Sequence, residues 1–590
     1  MLLTPKRWHV AARAPDDHLA RFPDLPPLIV QILYNRGISQ TGEVRDFLAH
    51  RAPQVTPFDL KGMAEAVARL RRAIDAGELI AVYGDYDADG VTATALMTQT
   101  LTALGGRVRA YIPDRFDEGY GLNVDALTKL AGEGARVVLT VDCGIRSAAE
   151  VLHGNALGLD MILTDHHHVG AEIPPALAAI DPKRPDCRYP FKELAGVGLA
   201  FKLAQALLQT TGGPLPFVED DLLDLVALGT VADLAPLVGE NRALVARGLE
   251  CLNASRRPGL QSLIAQANLK PGGIGAGSIG FVLGPRLNAA GRLESALAAY
   301  ELLITEDLLR AGQLAQQLES QNRERQLQTQ ATVEQARRLI LEDGATRPLY
   351  LIADSSFNPG IVGLVSSRLT EEFYRPTLVA QQGATHTKGS ARSILEFHIT
   401  QALDECADLL ERYGGHAAAA GFTVKNEKLP ELKARLLAIA ERELGKIDLT
   451  PTLVIDARLN LRGINRRRVE DAISARAAGR PVDEKDVGLQ IMDGLDRLRP
   501  FGYHNATPVF VSCGLEVKGR RLVGDGGHHL KLVLHDGLQT WDAIAFRQGG
   551  WHDHLPARVD VAYTLEVNEW NGRRQLQLNV KDIKPAEAAE

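Results

Sequence analysis

The sequence predicts an α/β protein: a doubly wound parallel sheet joined by a long helix to a second, smaller α/β domain, with an OB-like β-barrel at the C-terminal end. Three observations carry that expectation. From residue 79 the buried-strand runs LIAVYG, RVRAYI, RVVLTV, LDMILT and LAAI alternate with helical stretches such as ATALMTQTLTALG and GLAFKLAQALLQT, the rhythm of a parallel sheet. Residues 296–342 then run without proline and with a single glycine, rich in Leu, Gln, Arg and Glu. A helix of ~40 residues would span ~60 Å, enough to bridge two domains. From residue 451 the pattern shifts to short alternating strands, TPVFVS, HHLKLVLHDG, WDAIAF and VDVAYTLEVNEWNGRRQLQLNV.

In chain order, residues 1–58 read as short helices, with LPPLIVQILYNRGI and GEVRDFLAH the apolar-periodic pieces. Residues 59–295 hold the parallel sheet, whose ligands are expected in the crevice outside the carboxyl ends of its strands. The long helix occupies 296–345. Residues 346–450 form the second α/β unit, with PLYLIAD and PTLVAQQ as strands and TQALDECADLLERY as a helix. Residues 451–590 make the barrel, with a helical insertion over 462–496 and a type I′ hairpin at Asn571-Gly572. A generic small β-barrel accounts for the same pattern.

A chain of 590 residues exceeds the size at which one core keeps growing, so about three or four domains are expected. No window approaches the ~18 apolar residues of a membrane span, and MLLTPKRWHVAARAPDD lacks an apolar leader core, so a cytoplasmic protein is expected. The five cysteines are scattered and form no CxxC pair, which argues against a disulfide framework and a thiolate zinc site. A formal charge of -7 disfavours a uniformly basic nucleic-acid binder but leaves room for a local basic groove.

The chemistry-bearing residues stand at the predicted strand ends. GDYDADG after LIAVY carries Asp85, Asp87 and Asp89; Asp142 follows RVVLTV; Asp165, His166, His167 and His168 follow MILT. Carboxylate and imidazole donors converging there suit a pair of divalent cations and phosphoester chemistry, and the excess of carboxylates favours Mn²⁺ or Mg²⁺ over Zn²⁺. A lone Asp at such a place is more often a turn or N-cap acceptor, but three within five residues weigh the other way. An EF-hand is excluded, since Leu96 stands where a bidentate Glu is needed and a strand precedes the loop. Asp142 could instead cap a helix beginning near Arg146. Of the adjacent imidazoles, one reads as a ligand and its neighbour as a substrate contact or proton donor, with His168 a surface residue. Asp233, in LVALGTVADLAPL, would by itself be a capping residue.

Two glycine-rich stretches differ in weight. GIGAGSIG at 273–280 contains GxGxxG without a preceding strand and reads as a flexible loop. In GGHAAAAGF, from Gly414 to Phe422, small residues around His416 would let backbone and imidazole approach a phosphate, against the plainer reading of a tight helix-to-strand connection. Trp541, Trp551 and Trp570, interleaved with Arg547, Arg573 and Arg574, could stack on bases, though filling the barrel is the commoner use of such rings.

The stretches VYGDYDADGVTA, IPDRFDEGYGL, TVDCGI, DHHH, GTVADLAPL, GPRLNAAGRL, GSARSI, YGGHAAAAGF and PFGYHNATPVF run in order through nearly the whole chain. In that order they resemble the DHH phosphoesterase superfamily, and within it the branch of single-stranded-DNA exonucleases. The resemblance implies a DHH catalytic domain at 59–295, a connecting helix, a DHH-associated domain at 346–450 and an OB-fold. It makes Asp85, Asp87, Asp142, His166 and Asp233 the metal ligands, with Asp87 and Asp142 bridging two cations and His167 on the scissile phosphate. Arg115, Arg292, Ser390, Arg392 and His416 match positions lining the phosphate path and the 5′-end pocket. Phe357-Asn358 stands where relatives usually carry Trp-His, and His504 and Ala506 where Gly and Pro are usual.

The activity so implied is release of 5′-mononucleotides from the 5′ end of single-stranded DNA by a monomer working in repair and recombination beside a single-stranded-DNA-binding protein and a helicase. Two alternatives stay open at this level: a phosphodiesterase for short oligonucleotides or cyclic dinucleotides, and a catalytically silent DNA-binding scaffold.

Overall fold

The computed structural model describes residues 6–586 except 116–117, 120, 213–216, 294, 343–346 and 571–572, and not the side chains of Asp525 and Trp570. The Asn571-Gly572 turn and the Trp570 ring therefore lie outside the described residues. The chain divides into two compact units: Pro53–Leu449 with Gly502–His504, and Met1–Ala52 with Thr450–Phe501 and Asn505–Glu590.

The first unit is built on a five-stranded parallel sheet of β1 (Leu79–Tyr83), β2 (Arg107–Tyr111), β3 (Ala135–Val141), β4 (Asp160–Thr164) and β5 (Ala178–Ile180), in the order β2-β1-β3-β4-β5. Its inner strands β1, β3 and β4 are largely apolar because both faces are covered, whereas the edge strand β2 exposes Arg107 and Arg109. Ile80, Val82, Leu139 and Ile162 enter one core, while their neighbours Ala81, Tyr83, Val138 and Leu163 enter another. Strand order reverses between β1 and β3, the switch point at which such sheets open a ligand crevice.

Two helices, Leu297–Ile304 and Leu308–Glu342, replace the single helix expected over this stretch. Asp307 causes the break: its Oδ1 accepts from the backbone N of Leu309 (2.8 Å) and Arg310 (3.2 Å), starting a new helix. The longer helix bridges two cores, with Leu314, Ala315 and Leu318 in the first and Val333, Ala336 and Ile340 in a second that contains Ile352 and Val365.

Beyond it lies a mixed sheet of β6 (Tyr350–Asp354), β7 (Thr377–Gln382), β8 (His386–Arg392), β9 (Leu410–His416) and β10 (Ala419–Lys425), ordered β9-β10-β8-β7-β6. Of the expected helix TQALDECADLLERY only Ile399–Asp404 is α-helical, with a 3-10 turn at Ala407–Leu409; LERY opens β9, an edge strand whose ladder with β10 overrides local propensity. GIGAGSIG is also not a loop. It runs through a helical turn and the π-helical Ile279–Leu283 into the helix Gly284–Leu293, because Ile274, Ile279 and Leu283 are core residues whose burial outweighs the cost of the glycines.

In the second unit, Arg7–Val10 is a strand paired in parallel with Thr452–Ile455, so the N-terminal segment is not purely helical. RWHV is too short to show a period of its own. Helices Pro27–Asn35 and Thr41–Leu48 follow as expected. β11 (Phe510–Val523), β12 (His529–His535), β13 (Thr540–Ala545), β14 (Arg558–Trp570) and β15 (Arg573–Pro585) pair in the order β11-β12-β13-β15-β14, and β11 also pairs with β14, closing a five-stranded barrel. Helices Arg466–Ala477 and Val487–Arg497 form the expected insertion before it. Trp541 is wholly buried in the barrel and unavailable for stacking.

Candidate metal centre and active site

After β1 the chain turns into the helix Ala88–Ala103, capped by Asp87, whose Oδ1 accepts from the backbone N of Asp89 (2.9 Å) and Gly90 (3.1 Å). The capping and ligand readings of Asp87 are therefore compatible, since capping occupies one oxygen and leaves the other. Asp85 is buried with its Oδ1 lacking any hydrogen-bond partner. Asp89, one turn along, has both oxygens engaged. Its Oδ2 accepts from Gly196 N (2.7 Å) and its Oδ1 from Val197 N (2.8 Å), at the start of the helix Gly196–Gln209, where the helix dipole favours an anion.

Asp142 caps nothing. It sits just past β3 at a left-handed φ of 64°, and the next helix starts only at Ala148 behind Ser147. Its buried Oδ1 stands 3.0 Å from His166 Nε2 without hydrogen-bond geometry, and neither atom has another partner. Gly196 makes room for it, since a Cβ there would fall 2.6 Å from that oxygen. Burial, then the charge of His167, lowers the His166 pKa to about 3, so the ring is neutral and presents a lone pair.

His167 is fixed differently. Its Nδ1 lies 2.7 Å from Asp165 Oδ1, and Asp165 also accepts from the backbone N of Ile145 (2.9 Å), His166 (2.8 Å) and His167 (3.1 Å). Burial pulls the His167 pKa down, but the bond to Asp165 together with the charges of Asp165, Asp233 and Asp87 more than reverses this and brings it to about 9. At neutral pH the imidazolium donates through Nδ1 to Asp165 and keeps a second N–H at Nε2.

Asp233 follows the helix Leu223–Ala232, its Oδ2 3.8 Å from His166 Nε2. Burial first, then the charges of Asp89 and Asp87, push its pKa up to about 9. The same causes in the same order, burial and neighbouring carboxylates, hold Asp85 and Asp142 well above the usual range. Ligand atoms fall within 4.8 Å of one another in three overlapping groups: Asp85 with Asp87 and Asp142, Asp89 with His166 and Asp233, and Asp142 with His166 and His167. Repelling buried carboxylates, orphaned acceptor oxygens and a neutral imidazole are what adjacent hard divalent cations would satisfy.

On the side facing the second sheet, Arg115 lies 4.8 Å over the Tyr86 ring. Arg292 Nη1 donates to Gly360 O (3.1 Å), and its pKa falls to about 10 through burial, then through Arg115 and Arg325. Ser390 and Arg392 lie on β8, and His416 ends β9 at the hairpin tip, opposite Ala419. GGHAAAAGF is thus a β-hairpin and not a helix-to-strand connection. His168 is exposed as expected, yet its ring meets His416 at 5.4 Å.

The family model described as DHH family, N-terminal domain, matches residues 79–230, that of the DHHA1 domain 346–444, and that of the RecJ OB domain 480–582. The single-stranded-DNA-specific exonuclease RecJ of Bacillus subtilis is 38% identical over 100% of this chain and 72% of its own length. That of Escherichia coli is 33% identical over 96% of this chain and 98% of its own. The chain belongs to the RecJ family. Among solved RecJ structures, that of Thermus thermophilus in complex with Mn²⁺ superposes with a TM-score of 0.81 at 32% identity, covering 99% of this chain and 80% of the other. A second structure of the same protein contains Mg²⁺.

Asp85, Asp87, Asp89, Asp142, Asp165, His166, His167 and Asp233 come together in this crevice, while His168 and His416 meet outside these groups. Two residues without an assigned role there turn out to organise it: Asp165, which orients His167, and Asp89, which ties the first helix to a second. Both signals were present, an Asp directly before paired histidines and an Asp in the first helical turn just after the capping Asp87.

Proposed function

We propose that this chain is a metal-dependent exonuclease that degrades single-stranded DNA from its 5′ end and releases 5′-mononucleotides. The observation that carries the reading is the 3.0 Å approach of two buried, unpartnered acceptors, Asp142 Oδ1 and His166 Nε2, at the junction of the donor groups. Asp85, Asp87, Asp142, His166 and Asp233 would hold two Mn²⁺ or Mg²⁺ ions, while Asp89 keeps its hydrogen bonds. When bound, the cations supply positive charge to the phosphoryl oxygens and acidify a water.

The chain's own groups do the rest. His167, charged at neutral pH and aimed by Asp165, donates through Nε2 to the scissile phosphate and stabilises the charge that builds there. Arg115 and Arg292 offset the neighbouring phosphates, and Ser390, Arg392 and His416 receive the terminal one. In the barrel, the exposed ring of Phe546, edge-on to His529 at 5.3 Å and followed by Arg547, offers a stacking surface for the trailing strand. The cytoplasm as compartment is supported by five unpaired cysteines. A helicase and a single-stranded-DNA-binding protein would supply and present such a substrate to a monomer.

Strands labelled at either end and incubated with Mn²⁺ test the proposal. Mononucleotides lost first from the 5′ label are expected. Digestion of a dinucleotide as efficiently as of a long strand would move the reading to a short-oligonucleotide phosphodiesterase.

A further inference from the structure

Three residues beside the candidate ligand Asp233 are exposed, and two of them hold backbone conformations that cost free energy. Leu234, directly after Asp233, keeps a left-handed φ of 59° with 67% of its surface open to solvent. His504 holds the same left-handed φ of 59°, and Tyr503 before it is 57% exposed. Gly502–His504 belongs to the same compact unit as the parallel sheet. Neither Leu nor His has the freedom that glycine has at such a φ, and the strain persists only where the surroundings over-determine the backbone.

They do so here from several directions. The backbone N of Leu237 donates to Tyr503 O (2.8 Å), and a Cβ on Gly502 would fall 2.6 Å from the Leu237 side chain, so glycine lets the loop lie against that buried leucine. Buried Asn241 donates through Nδ2 to Pro236 O (3.1 Å), which fixes the stretch between Asp233 and Leu237. Buried Asn505 donates through Nδ2 to Leu498 O (3.0 Å) and Pro500 O (2.7 Å), closing the base of the loop. The Tyr503 ring is braced by the His504 ring, edge to face at 4.4 Å and 79°. Leu237 follows Asp233 by four residues, at most about 14 Å of extended chain, so the ring stands within a few nucleotides of Asp233. An open, apolar rim is of no use to a solvated phosphate, whereas an aromatic ring offers its π-face to any base.

We propose that Tyr503 is a substrate-contacting residue whose ring stacks on one base of the single strand, a few nucleotides from the scissile phosphate, and so holds the strand in place beside the crevice. The inference rests on the 5′-end exonuclease reading above.

Initial release of a 5′-labelled terminal nucleotide from oligothymidylate, with Mn²⁺, tests it in strands made abasic at one position at a time, from the second nucleotide to the sixth. In wild type, one of these positions should raise KM by about 5–10-fold through the loss of a single base–aromatic stack, kcat moving little. Tyr503→Ala should bind the intact strand with that same raised KM and show no abasic penalty at that position, while Tyr503→Phe, which keeps the ring, should keep the penalty. Because each penalty is a ratio within one protein, it does not depend on how much of a variant folds. A wild type indifferent to every abasic position, a Tyr503→Ala that retains all the wild-type penalties, or a Tyr503→Phe that loses one overturns the assignment of Tyr503. Failure of wild type to release the 5′ label from the intact strand overturns the exonuclease reading instead.

Discussion

Buried aspartates occur in two regions of this molecule and behave in opposite ways. In the barrel, Asp536 accepts from Trp541 Nε1 (2.9 Å) and from the backbone N of Leu538 (2.7 Å) and Gln539 (2.9 Å). Burial pushes its pKa up, but these donors outweigh burial and hold it below the usual carboxylate value. At the ends of β1 and β3, Asp85 and Asp142 are buried still more deeply, each with an oxygen left without a donor, and burial, then the charges of neighbouring carboxylates, raises their pKa values well above it. Burial is common to both. What marks the functional region is a deficit of donors, which only a cation or protons can make good.

Replacing a carboxylate at each place separates the two cases, and the largest effect is expected at Asp142. Asp142→Asn keeps the shape and removes the charge, so nucleotide release under saturating Mn²⁺ should fall by at least about 10³-fold, or about 4 kcal/mol in the barrier. The same variant, melted in a chelator, should be no less stable than wild type, because a repelling charge is gone. A variant that loses stability and activity together would mean that Asp142 is a structural acceptor like Asp536.

Asp165 is the intermediate case, a satisfied acid inside the deficient region. Asp165→Asn should cost about 10–100-fold in rate, the usual scale for a residue that aims a functional histidine. Without that carboxylate the His167 pKa drops from about 9, so the loss should deepen as pH rises from 7 to 8.5. A pH-independent loss would argue against His167 acting in its charged form.

A smaller effect concerns the cations. Asp233 binds its proton in the folded, cation-free protein up to about pH 9, whereas in the unfolded chain it releases it near the ordinary value of about 3.9. A raised folded pKa gives stability that is lost as pH rises through this window. Cations that displace the proton restore it, so the gain in melting temperature from Mn²⁺ over chelator should widen by several degrees between pH 6 and pH 8.5. A gap that stays constant would show that the acids titrate normally.

The same contrast explains how much could be read from the chain. The inner strands of the parallel sheet were legible because they are buried on both faces, and Asp85, Asp87, Asp142, His166 and Asp233 because each terminates or follows an apolar run. Distance in sequence did not hide them, since a doubly wound sheet delivers strand ends to one edge. The edge strand beginning LERY was not legible: its outward residues carry no apolar alternation, and its pairing partner is made later in the chain. Neither was the break at Asp307, where one cap oxygen decides between two helices and one. His504 shows why glycine suits its position, since it holds a left-handed φ of 59°.

The smallest change is expected from the satisfied acid. Asp536→Asn retains an oxygen for the Leu538 and Gln539 N–H groups but weakens these two charge-assisted bonds to neutral ones and loses the third by setting an NH₂ against the Trp541 N–H, for a cost of about 1–2 kcal/mol. Because its folded pKa is depressed, the carboxylate contributes stability that is complete above the unfolded value of about 3.9 and disappears as pH falls through the folded one. Wild type and variant should therefore differ most in melting temperature at neutral pH and converge below about pH 4, with no cation dependence at any pH. Convergence in acid, read by the fluorescence of the buried Trp541, would show that the barrel aspartate is held by donors alone. A difference that responds to Mn²⁺ would place a second cation-dependent acid where the geometry leaves no oxygen without a partner.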